Sequence, residues 1–89
     1  MTSAASEELN VRADVCEYED AAGIARFRTA LRTLGAVQIR HTWAIGVDCW
    51  QFRIGADTLD VFSDAWSVDI DGPTVLVEQV IRLSQSPAV

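Results

Sequence analysis

From residue 9 to residue 16, apolar and polar positions alternate. Leu9, Val11, Ala13 and Val15 fall on one side of the pattern, and Asn10, Arg12, Asp14 and Cys16 on the other. A period of two belongs to a half-buried strand, so a first strand is predicted here. The period then changes. Ile24, Phe27, Leu31 and Leu34 recur at spacings of three and four, with Asp20 placed as an N-cap and Gly35 as the residue after the helix end. These signals predict a helix of about 15 residues.

From Val37 the period returns to two, with Val37, Ile39, His41, Trp43 and Ile45 on one face. Gly46-Val47 can form a two-residue turn with Gly at its first central position. That turn predicts Trp43 opposite Trp50, His41 opposite Phe52, and Ile39 opposite Ile54. A four-residue turn over 55–58 sets Ile54 opposite Leu59 and Phe52 opposite Val61. A turn at Asp64-Ala65 aligns Trp66, Val68 and Ile70 with Ser63, Val61 and Leu59. Asp71-Gly72-Pro73 ends the last strand and opens a second helix, with Pro favoured at its first position. Val77, Val80, Ile81 and Ser84, flanked by Leu76 and Leu83, form that helix's inner face.

The predicted order is β-α-β-β-β-β-α, an α+β two-layer sandwich with a mostly antiparallel sheet and both helices on one face. Residues 8–85 form this single domain, with tails at 1–7 and 86–89. The order leaves open the sheet edge to which the first strand pairs.

The predicted register creates rows across the sheet. One inner row joins Trp43, Trp50 and Trp66, either a core layer or an aromatic contact surface, since Trp is enriched at interface hot spots. On the outer face, Arg53 is set opposite Asp60, and Asp60 opposite Asp69, with Asp57 and Asp71 close by. Directly opposed carboxylates are unfavourable, and a face holding Asp57, Asp60, Asp69 and Asp71 is a candidate docking surface for a basic protein.

Composition supports this picture. With 49% hydrophobic residues among 89, the chain is too apolar for intrinsic disorder. Its net charge is −6, and all seven basic residues are arginine. Residues 45–89 carry seven acidic residues against two arginines, a balance that disfavours nucleic acids and anionic membranes as partners. The start, MTSAASEEL, lacks the basic and apolar regions of a secretory signal, and no apolar run approaches membrane-spanning length. A cytoplasmic location with two reduced thiols, Cys16 and Cys49, is the expectation.

Chemical motifs are weak. A Cys49–His41 nucleophile pair needs hydrogen-bond contact, but strand alternation puts His41 on the inner face and Cys49 on the outer. Ser67, Asp69, Asp71, Gly72 and Glu78 match the spacing of a calcium loop. Pro73 and the strand-like lead-in TLDVFSDAW oppose that reading, and no zinc-type ligand pair is present. Arg28 and Arg32, four apart on the first helix, read as a solvated face whose stems cover apolar surface. No catalytic residue, cofactor or metal is assigned.

In size, acidity and architecture, the chain is similar to the immunity proteins of secreted bacterial toxins and to phage-encoded inhibitors. The likeness extends to no motif. It implies a non-enzymatic module that neutralises a basic protein. The alternative is a structural or accessory domain acting as a homodimer, burying Phe62 or pairing a free edge strand.

Overall fold

The computed structural model describes residues 10–85, so the tails expected at 1–7 and 86–89 lie outside the described residues. Seven elements follow in the predicted order. They are β1 (Asn10–Glu17), α1 (Ala21–Thr33), β2 (Val37–Ala44), β3 (Val47–Ile54), β4 (Asp57–Ser63), β5 (Ser67–Pro73) and α2 (Thr74–Gln85). Asp20 caps α1, its carboxylate accepting a hydrogen bond from the Gly23 backbone N–H at 2.9 Å. This satisfies one of the donors that a helix start leaves free. Pro73 ends β5 and immediately precedes α2, so the strand runs into the helix without a loop.

The five strands form one antiparallel sheet in the order β1-β5-β4-β3-β2. β1 therefore pairs with β5, and β2 forms the opposite edge. The meander places β5 antiparallel to β1, whereas a β1–β2 pair would be parallel. Helix α1 makes the long connection. Its 13 residues reach about 20 Å at 1.5 Å each, close to the four strand spacings of about 4.8 Å that separate the two edges.

Both helices lie on one face. Leu59, Ile70 and Val80 are fully buried, with Phe27 and Leu31 of α1, Leu76 and Val77 of α2, and Val61 and Val68 around them. The helices pack mainly over β1, β5 and β4, and β2 is exposed along its whole length. The two sheet edges are thus unequal: one lies under helices, and the other is bare.

The register differs from the expectation by two residues at each hairpin. His41, not Trp43, pairs with Trp50, and Trp43 pairs with Asp48. Trp50 pairs with Val61, Phe52 with Leu59, and Val61 with Ile70. The turns are the cause. Ile45-Gly46 is the two-residue connection, with Gly46 at φ +78° in its second central position, where a type II turn needs positive φ. Gly55-Ala56 connects β3 to β4, with Gly55 at φ +63° in the first central position. A shift of two residues keeps each side chain on its face, so in β3, β4 and β5 the inner and outer sets stand while the rows change, whereas in β2 the bulge puts Gln38, not Val37, on the inner side opposite Phe52. Bulges between Gln38 and Arg40 in β2 and between Asp14 and Cys16 in β1 also interrupt the ladders. The second brings Cys16 opposite Val68 and against the core.

Candidate functional surfaces

The predicted tryptophan row does not form. Trp66 lies in the β4–β5 turn and is 79% exposed, Trp43 is 66% exposed beside the β2–β3 turn, and Trp50 is half-buried on the helix side of β3. The turn explains Trp66. Asp64 Oδ1 accepts from the backbone N–H groups of Trp66 and Ser67 at 2.8 and 2.9 Å, an Asx turn that puts Ala65 and Trp66 at the corner. The same two bonds hold the Asp64 carboxyl below its ordinary value.

His41 is not a core residue. It stacks on Trp50 with ring centroids 4.9 Å apart, and its Nε2 donates to Asp48 Oδ1 at 3.0 Å. Cys49 pairs with Thr42 and points to the other face, so strand alternation separates it from His41 as expected. Ser67, Asp69 and Asp71 lie along extended β5, a geometry that does not wrap around a cation as a calcium loop does.

The outer face gathers carboxylates from three adjacent strands. Asp60 opposes Asp71, and Asp69 opposes Asp14, which joins this face through the pairing of β1 with β5 and not through any local pattern. The predicted Asp60–Asp69 and Arg53–Asp60 pairs are replaced. Arg53 opposes Thr58, and Asp60 faces Gln51, whose Nε2 donates to Asp60 Oδ1 at 3.0 Å. Asp57 does not join the face. It shares the parity of Leu59 and Val61 and pairs with Ile54 at the end of β4 on the helix side. Among these carboxylates stands Arg12. It bonds Asp69 Oδ2 at 3.4 Å, and its guanidinium lies 4.4 Å from the centre of the Phe62 ring. The Arg12 stack covers the apolar side chain expected at a dimer contact. Ser67 Oγ also donates to Asp69 Oδ1 at 3.2 Å.

The Asp14–Asp69 pair has a measurable signature. A hydrogen bond with Asp69, then the like charge of Asp69, raises the Asp14 carboxyl above its ordinary 3.8. A carboxylate whose folded pKa is raised binds its proton more tightly in the native state, so stability falls as pH rises through that window. Asp14→Asn should therefore unfold at higher temperature than the wild type at neutral pH. The gap should close on acidification to well below 3.8, where Asp14 is protonated in both states. Thermal melts across that range check this; a gap independent of pH would remove the carboxylate pair as its cause.

The helix side carries a groove of ≈ 580 Å³ between α1 and the sheet. Phe27 and Leu31 form one wall, Trp50, Phe52 and Val61 the floor, and Arg28 and Arg32 stand along the helix side. It exists because the helices lie towards β1 and leave the β3–β2 side of the inner face uncovered. Sequence periodicity puts the apolar side chains of the groove on inward faces and Arg28 and Arg32 on a solvated one, but it holds no signal for the lateral position of the helices.

Fold and surfaces define a small two-layer α+β protein with an acidic outer sheet face and an apolar groove on its helix side. No protein-family model, curated protein or solved structure matches the chain. Among the described residues no helix is long and apolar enough to cross a membrane.

Proposed function

We propose that this protein is a non-enzymatic binding module that docks a basic protein partner on its outer sheet face, as an immunity or inhibitor protein does. One observation carries the reading. Asp60 opposes Asp71 and Asp14 opposes Asp69 on neighbouring strands, and Asp14 holds its proton more tightly as a result. Opposed carboxylates cost stability in the free protein. A lysine- or arginine-rich surface relieves that repulsion, and the complementary potential steers its approach.

Two substitutions in one strand test the face and not merely the net charge. Asp60→Lys changes the outer face and creates a favourable pair with Asp71; Asp57→Lys makes the same charge change on the helix side. Titration of a decalysine peptide at low salt should show about fivefold weaker binding for Asp60→Lys and little change for Asp57→Lys. The difference should shrink as added salt shortens the screening length. Equal losses for the two variants would overturn the docking face.

A second reading, self-association, is supported by the exposure of β2. This eight-residue edge strand presents Ile39 and Trp43, with Ile45 in the adjoining turn, and an open edge offers its backbone to a second chain. Sedimentation over a concentration series distinguishes the readings. Pairing through β2 should give a dimer insensitive to salt, whereas the acidic-face reading expects a monomer.

A further inference from the structure

Charge is divided unevenly between the two sides of the fold. Helix α1 with β2 and β3 carries five arginines (Arg26, Arg28, Arg32, Arg40 and Arg53) against one carboxylate, Asp48. The remaining strands and α2 carry two arginines against seven carboxylates. A protein of net charge −6 thus has a cationic flank, and the groove opens on it. Arg26 is engaged, its Nε donating to the Ser84 carbonyl at 2.9 Å. Arg28 and Arg32 are exposed, line the groove, and make no ion pair among the described residues.

The groove volume falls within the range of small-molecule sites, and its make-up is of that type: apolar and aromatic walls with a few polar groups at one side. Its α1 wall runs from Ile24 to Arg32, about 12 Å along the helix axis. Two guanidinium groups four residues apart project from the same helix face and suit one carboxylate, which Arg binds through paired N–H donors. We propose that the groove binds a free, single-chain aliphatic carboxylate. The chain lies against Phe27, Leu31, Trp50 and Phe52, and the carboxylate is held by Arg28 and Arg32. This site is on the opposite side of the sheet from the acidic docking face and stands independently of it.

The probe is decanoate, titrated below its micelle concentration into the full chain by calorimetry, with octanoate, decanol and decyltrimethylammonium as comparisons. Saturable one-to-one binding of decanoate is expected, tightening about fourfold per methylene from octanoate, the effect of burying each CH₂. Arg28→Gln with Arg32→Gln should weaken decanoate about tenfold and leave decanol unchanged. Both side chains are exposed, and an unchanged melting temperature confirms that the variant folds. Decyltrimethylammonium should bind more weakly than decanoate. Absence of saturable binding, equal binding of decanoate by the wild type and the double variant, or a dimer that excludes decanoate would each overturn the proposal. So would binding to phosphatidylglycerol vesicles without binding to monomeric decanoate.

Discussion

Leu59→Ala should lower the folding stability by about 3–4 kcal/mol, the cost of a buried Leu-to-Ala cavity that cannot collapse. Leu59 is fully buried at the centre of the sheet's inner face, paired with Phe52 of β3. It belongs to the same cluster as Val61, Ile70, Val77 and Val80. Three layers of contact meet there, from β4, from β5 and from the helices above, so no single element can move to fill the void. A domain of this size holds on the order of 5–10 kcal/mol in total, and the substitution removes a large part of it. Urea unfolding should show a lower midpoint with an unchanged slope. A loss below about 1 kcal/mol would mean that Leu59 is not enclosed as described.

Gly72→Ala should also destabilise, by about 1–3 kcal/mol, through overpacking. A Cβ at this position would stand 3.1 Å from Leu59 Cδ1 and 3.2 Å from the Thr58 carbonyl oxygen. One neighbour is backbone in the middle of the sheet, and the other is a side chain with no free space beside it. The methyl therefore forces β4 and β5 apart. The two substitutions share a contact, so they should not add. In the Leu59→Ala background the clash with Cδ1 is gone, and Gly72→Ala should cost less than it does alone. A double-mutant cycle by urea unfolding measures the coupling. Full additivity would place Gly72 away from Leu59.

These two residues also show what sequence reading reaches. Alternation alone puts Leu59 on the inner face, and β4 presents it there. The Gly72 contact was invisible, because it depends on how closely β4 and β5 approach. The same division runs through the acidic surface. Alternation is enough to put Asp60, Asp69 and Asp71 on the outer face, where they lie. The place of Asp14 depends on β1 joining β5, which no local pattern specifies. Asp57 is near these residues in sequence, but its parity with Leu59 puts it on the other side.

The local signals in this chain decided element type, element order and the face of most side chains. Asp20 before a run at spacings of three and four starts α1, and the alternation from Val37 onward makes the sheet. Hydrophobic patterning is strong enough for this because a strand shifted by one residue would bury its polar set. A shift of two residues costs no such penalty, so patterning could not choose between registers. The backbone at Gly46, Gly55 and the Asp64 turn made that choice, and it dispersed the three tryptophans. Tertiary structure alone decided the rest. The length of α1 carries the chain across the sheet, β1 closes against β5, and the helices settle over that side. The consequences are a bare β2, an arginine-lined groove and an acidic face, since burial and charge at a surface depend on which elements become neighbours.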